Sequence, residues 1–266
     1  QYLNPEFLPW YYFFIWFLST TPIFFSIIII LGLVIFSKSF LINFLKINKY
    51  SKVLLWKNEN EMNELYIFFS LLIPLFFVIT LNASLYNGWR HLFFLYPSLV
   101  FFGIKFCIYI YKDFSKKEFQ ILIFILLIQF SSNIFFIIKS HPVQNVYFNY
   151  IAKHFVDKNL PIDYWGSGSK IMIDKLLRLD DSEKIKISIS SYSNLEKIRP
   201  LFSKKDNNRL IFLGTSNKKD SNYIFTNYYY ERNPRTAKKY NIPENFYSYI
   251  IFKINGIKIN EVFKKK

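Results

Sequence analysis

The sequence predicts an α-helical polytopic membrane bundle of about four transmembrane helices, followed by a small α/β domain on the outer side. Three observations lead there. Residues 1–138 carry long, nearly uninterrupted apolar runs, each sufficient at about 1.5 Å per residue to cross a hydrocarbon core of about 30 Å. Residues 139–266 instead alternate short amphipathic stretches with turn signals. Charge divides the same way: residues 1–138 hold 10 Lys+Arg against 6 Asp+Glu, and residues 139–266 hold 24 against 12.

Composition narrows the class. A hydrophobic share of 52% and an aromatic share of 21% exclude a disordered chain and are high for a soluble one. Joint abundance of Phe, Ile, Tyr, Asn and Lys also fits codon bias from an A/T-rich genome, so no single Phe or Lys carries the argument. Cys107 stands alone, which excludes an internal disulfide and a cysteine metal cluster. No basic-then-apolar leader precedes the first apolar run. With Gln1 as its first residue, the chain is expected to be a fragment of a longer protein.

Taken in order, Pro5 and Pro9 flank Glu6, and Trp10-Tyr11-Tyr12 reads as an aromatic belt. The first crossing is expected at about 13–36, kinked at Thr20-Thr21-Pro22 because proline removes a helix hydrogen bond. A helix start after a short re-entrant piece is the other reading of those three residues. A polar link at 38–65 contains Lys38, Lys46, Lys49, Lys52 and Lys57, broken by an amphipathic patch at Phe40–Leu45. The second crossing is expected at about 65–81 around Pro74, the third at about 92–111, and the fourth at about 119–138 after Lys112, Lys116 and Lys117. Between crossings two and three lies Tyr86-Asn87-Gly88-Trp89-Arg90-His91-Leu92-Phe93-Phe94-Leu95-Tyr96-Pro97, a turn that presents a cation and a titratable ring beside an aromatic. Lysines mark the links after crossings one and three. The positive-inside rule therefore places residues 1–11, the Arg90 loop and everything after Ile138 on the outer face.

In residues 139–266, Val143–Lys158 and Ser167–Leu179 read as amphipathic helices around Pro161 and an Asp163-Tyr164-Trp165-Gly166 turn. Strands are expected at Lys184–Ser190, Arg209–Leu213 and Tyr223–Tyr229, and a short helix at Asn194–Phe202. Asn255-Gly256 between Phe246–Ile254 and Ile257–Phe263 is a strong hairpin signal. These elements imply a mixed sheet with its own core.

Several of these motifs resemble a family when taken in order. Pro9-Trp10-Tyr11-Tyr12 with Thr20-Thr21-Pro22, then Tyr86–Pro97, then His141-Pro142-Val143-Gln144-Asn145-Val146-Tyr147-Phe148-Asn149, then Asp163-Tyr164-Trp165-Gly166, are similar to the C-terminal part of bacterial membrane glycosyltransferases related to the dolichyl-phosphate-mannose protein mannosyltransferases. The resemblance is clear from about Pro5 to Asp163 and rests on order and spacing rather than on any one motif. It implies the polytopic helical GT-C fold, a place in the bacterial inner membrane with the C-terminal domain periplasmic, and transfer of a sugar from a polyprenyl-phosphate donor. It also implies an acidic residue, usually Asp, in the first outer loop. The outer-face membrane loops here hold only Glu6 as a carboxylate, so the catalytic residue is expected upstream of Gln1, and a divalent metal belongs to the full-length enzyme if anywhere.

Arg90 is permanently charged and offers a planar fork suited to phosphate. With His91 and Trp89 it is the expected contact for the donor's lipid phosphate; the bland reading is a guanidinium that snorkels to lipid head groups beside a belt tryptophan. Asp163, Tyr164 and Trp165 combine a carboxylate with aromatics and are candidate sugar or acceptor contacts; a packed turn joining two helices is the favoured reading. Asn227-Tyr228-Tyr229-Tyr230 reads as a strand end with exposed aromatics. His141 is expected to be structural. No metal, Ser/His/Asp or phosphate-loop spacing occurs. Expected partners are membrane lipid, the polyprenyl-linked sugar donor and an acceptor of unstated kind. Dispersed lysines argue against nucleic acid, and the basic domain favours an anionic acceptor or surface. A non-catalytic membrane-anchored scaffold or partner-binding module is the alternative. A transporter is disfavoured because no ionisable group other than Lys105 lies deep in a crossing, and Lys105 reads as nearer the cytoplasmic end and snorkelling.

Overall fold

The computed structural model describes residues 8–46, 56, 58–85, 88–160, 162–230 and 238–266. Contacts divide the chain between Phe135 and Phe136, slightly before the expected boundary, into two compact units. Among the described residues four helical runs are long and apolar enough to cross a membrane: Ile23–Leu45, Glu59–Thr80, Arg90–Asp113 and Lys116–Lys139. Their flanks display bare apolar surface, with Phe76, Phe124, Phe130 and Phe135 more than half exposed, which suits lipid better than water.

The expected first crossing at 13–36 is two helices, α1 (Tyr12–Thr20) and α2 (Ile23–Lys46). Thr21 is extended at φ −95°, ψ 138° because the ring of Pro22 crowds the residue before it out of helical space. At nine residues α1 is too short to span a bilayer, and the run long enough to cross is Ile23–Leu45. Phe40–Leu45, expected as a patch in the link, completes that run. Lys49, Lys52 and Lys57 of the link lie outside the described residues, as do Pro5, Glu6, Tyr86, Asn87 and Pro161.

Helix α3 (Glu59–Thr80) starts earlier than expected because Asn58 caps it. The Asn58 side chain accepts from the Glu61 N–H at 2.9 Å, and Glu59 and Glu61 favour the positive end of the dipole. The third run opens as a 3-10 turn at Arg90–Leu95 and continues as α4 (Tyr96–Asp113), with Pro97 in its first turn. Arg90 and His91 are therefore helical rather than in the expected loop. Helix α5 (Lys116–Lys139) begins with a reciprocal cap: the Ser115 N–H and hydroxyl donate to Glu118 Oε2, each at 2.8 Å, and the Glu118 N–H donates back to Ser115 Oγ at 3.3 Å.

Close packing in this unit centres on α2 and α4. Gly32 faces the Phe102 backbone, Gly103 faces Ile28 and Ile29, and the Phe36, Phe68 and Phe102 rings cluster beside them. Small residues permit such helix approach in lipid. Ser70 and Ser98 hydroxyls meet at 3.0 Å between α3 and α4. Lys105 was expected as the only ionisable group deep in a crossing; the early start of α3 brings Glu64 into an ion pair with it.

In the second unit the expected helix at Val143–Lys158 is replaced by a 3-10 turn at Gln144–Val146 and a short α6 (Lys153–Asn159). Helix α7 (Ser169–Leu179) lays Met172, Ile173, Leu176 and Leu177 on a five-stranded sheet of order β2-β1-β3-β5-β4. Strands β1 (Ile185–Ile189), β2 (Leu210–Phe212) and β3 (Tyr223–Thr226) run parallel. Strands β4 (Phe246–Ile254) and β5 (Ile257–Lys265) form the expected antiparallel hairpin, with Asn255 at φ 49° and Gly256 at φ 87° as its turn requires. The helix expected at Asn194–Phe202 is a 3-10 run at Leu195–Leu201, where Pro200 has no N–H to donate. A further helix, α8 (Lys204–Arg209), was not expected; the Ser203 side chain caps it by accepting from the Asp206 N–H. Strand β3 stops three residues early because Tyr228 takes a positive φ of 56°. Arg209 closes the C-terminal end of α7 by donating to the carbonyls of Leu177, Asp180 and Ser182, which lack helical partners.

Candidate functional site

Two sequence-predicted clusters fall in different units. The Arg90 cluster begins at Gly88, whose φ of +76° turns the chain and whose N–H donates to the Tyr12 hydroxyl at 3.1 Å. A Cβ there would press within 3.4 Å of the Trp16 ring, so the turn is packed as well as strained for other residues. Trp89 is 5% exposed. Its ring packs edge-on against Phe13, Phe17 and Phe93 at 4.9–5.6 Å, and Nε1–H donates to Thr20 Oγ1 at 3.0 Å. Thr20 in turn donates to the Trp16 carbonyl at 2.7 Å.

Trp89 is therefore no open contact for a phosphate. Its one polar atom is committed to Thr20 and its ring wedges the start of the Arg90–Asp113 run against α1. Arg90, half-buried, and His91, exposed, follow at the N-terminal end of that run, with Arg90 Nε donating to His91 Nε2 at 3.4 Å. The Thr20-Thr21-Pro22 signal marks Thr20 in the sequence, but nothing there pairs it with a tryptophan. Replacing Thr20 by valine should lower stability by about 1–2 kcal/mol, because the buried indole N–H loses its acceptor. A thermal melt in detergent checks this; an unchanged midpoint would detach Trp89 from Thr20.

In the second unit β1 continues to β2 on one side, whereas β3 continues to the β4–β5 hairpin on the other. In this order β1 and β3 lie side by side within the sheet. Past their ends the two segments stay paired: the Ser190 N–H donates to Phe225 O at 2.7 Å and the Tyr192 N–H to Tyr229 O at 2.6 Å. The Asp163-Tyr164-Trp165-Gly166 turn joins them.

Asp163 is fully buried, which fits the packed-turn reading. Its Oδ1 accepts from the Ser167 N–H at 2.8 Å, and Oδ2 accepts from the Gly168 N–H at 3.0 Å and Asn260 Nδ2 at 3.1 Å. Burial pushes its carboxyl above the usual aspartate range, and the bonds from Asn260, Gly168 and Ser167 offset only part of that. Asn227, also fully buried, donates through Nδ2 to Asp163 O at 2.8 Å and to Ser193 Oγ at 2.5 Å, while its Oδ1 accepts from the Tyr229 N–H at 3.3 Å. One amide thereby ties three segments together.

Above these anchors stand the rings. Tyr164 meets Trp165 at 5.0 Å and Tyr229 at 5.3 Å, and Tyr229 meets Tyr192 at 5.8 Å, with interplanar angles of 71–85°. Trp165 is 65% and Tyr192 57% exposed. Sequence reasoning named Tyr164 and Trp165 and noted the tyrosines at 228–230, but missed Tyr192, Asn227 as an anchor, and Asn260. Only pairing beyond the strand ends makes them neighbours. Among the described residues no three His, Cys, Asp or Glu side chains gather as a metal site. Comparison with family models, curated proteins and solved structures gives no match to this chain.

Proposed function

We propose that the chain is part of an integral-membrane glycosyltransferase that moves a sugar from a polyprenyl-phosphate donor to an acceptor on the outer face. The observation that carries this reading is Arg90. It is a permanent cation seated by the buried Trp89 at the amino end of a 24-residue apolar run, where helical N–H groups already favour an anion. The motif order that resembles membrane mannosyltransferases adds to it, and the lysines in the links after the first and third runs support an outer position for Arg90 and the second unit.

In this reading an acceptor oxygen bonds to the glycosyl carbon as that carbon's bond to the phosphate oxygen breaks, the acceptor gives up its proton, and the bonding pair leaves on the phosphate, which gains charge. Arg90 stabilises that charge through two parallel N–H donors, and His91, exposed beside it, offers a further donor. The group that activates the acceptor is not assigned to any described residue, and Glu6 lies outside them.

Transfer in membranes from a polyprenyl-phosphate sugar, using the full-length protein, tests the assignment. Arg90→Ala should lower turnover by about 10²–10³ with insertion intact. Arg90→Lys should recover part of it, since charge returns without the fork. Indifference to Arg90 would remove it from the site. If no donor yields transfer, the membrane-anchored binding module becomes the better account, and the exposed aromatic row of the second unit is the observation that favours it.

A further inference from the structure

We infer that Tyr192, Tyr229, Tyr164 and Trp165 form a preorganised shelf that binds a glycan chain. The inference does not rest on sugar transfer; a shelf of this kind would serve an acceptor glycan in an enzyme or a surface glycan in an anchored module. Three features point to it.

The first is exposure. Four aromatic rings in continuous contact ordinarily sink into a core, yet here the two end members, Trp165 and Tyr192, leave more than half their surface open. Large aromatics held in the open are the usual anchors of recognition.

The second is rigidity. The polar contacts beneath the rings are internal and buried: Asn227 binds the Asp163, Ser193 and Tyr229 segments, and Asp163 closes its own turn while holding Asn260 on β5. A ligand therefore meets rings whose backbone is already ordered, and little freedom is lost on binding.

The third is ring geometry, which selects the ligand. Adjacent planes are close to perpendicular, so a flat nucleobase could not stack on two rings in succession. A puckered sugar ring has an apolar face of C–H groups and a rim of hydroxyls. It can lay that face on an exposed ring and keep its hydroxyls in water. With ring-to-ring steps of 5.0–5.8 Å, the row is longer than one sugar, which favours an oligosaccharide over a monosaccharide.

The test is equilibrium binding of the whole chain in detergent micelles to chitotetraose, mannotetraose and maltotetraose, with oligo-dT as the competing class. At least one oligosaccharide should bind, with an affinity that added salt leaves unchanged because no charge is involved. Trp165→Ala and Tyr192→Ala should each weaken binding about tenfold, and Trp165→Phe should retain most of it. Both rings are exposed, so these variants should melt with the wild type. No donor lipid enters this measurement, so its outcome is separate from that of the transfer assay. Failure of all three oligosaccharides, binding indifferent to both alanine variants, or binding of oligo-dT alone would overturn the proposal.

Discussion

Gly32→Ala should force α2 away from α4 and cost about 3 kcal/mol or more. A Cβ built on Gly32 falls on the carbonyl oxygen of Phe102, a backbone atom that no rotamer change can move. The helices would have to separate, giving up the Phe36–Phe102 contact and the packing of Ile28 and Ile29 on Gly103. In lipid such contacts carry the association, because apolar burial alone does not distinguish helix from acyl chain. Gly103→Ala is the control. Its Cβ would lie 3.2 Å from Ile29 Cγ1, a side-chain atom that need give way only by a few tenths of an ångström, and should cost no more than about 1 kcal/mol. Melting in detergent separates the two. A Gly32→Ala protein as stable as Gly103→Ala would mean that α2 and α4 do not pack at that level.

The second large effect is expected at Asp163. Asp163→Ala leaves the Ser167 and Gly168 N–H groups and the Asn260 amide without their acceptor in a site closed to water, at a cost of about 3–5 kcal/mol. The site cannot close over the gap by taking a larger neighbour. Gly168 must lack a Cβ because Asn260 Oδ1 occupies that space. Protease resistance of the 136–266 unit reports the loss, and an unchanged digestion profile would contradict the buried cage.

The same group sets a pH dependence. Burial raises the folded-state pKa of Asp163, so its stabilising contribution is complete below the ordinary aspartate value and is lost as pH rises through the folded value. The melting midpoint of the wild type, taken relative to Asp163→Asn at each pH, should therefore fall from acid pH upward. A difference that grows in the wild type's favour would mean that hydrogen bonding, not burial, dominates the carboxyl.

Much of this was readable in the residues because it is local. The Asn255-Gly256 hairpin, the amphipathic stripe of α7 and the apolar lengths of the long runs each depend on neighbours in sequence. The capping signals were equally local and were passed over: Asn58 before Glu61, and Ser115 before Glu118, move two helix starts outward by several residues. Thr21-Pro22 allowed both a kink and a break. Break prevails because Pro22 crowds Thr21 out of helical space, while Gly88 and Trp89 hold α1 through Tyr12 and Thr20.

Sequence alone determined the membrane-length helices, the change of character after residue 138 and the mixed α/β pattern that follows, since hydrophobic period and turn chemistry are written residue by residue. Tertiary structure decided the roles. Trp89 looked like an interfacial contact and is a buried wedge, because its partners Phe13, Phe17 and Thr20 lie some seventy residues earlier. Asp163 could be read as a ligand contact or as part of a packed turn and is an internal anchor, because Asn260 arrives from β5 nearly a hundred residues later. Tyr192 acquired a candidate role only where parallel pairing of β1 and β3 set it beside Tyr229. Side chains distant in sequence share an environment only after the sheet and bundle close, and burial and hydrogen bonding are properties of that environment.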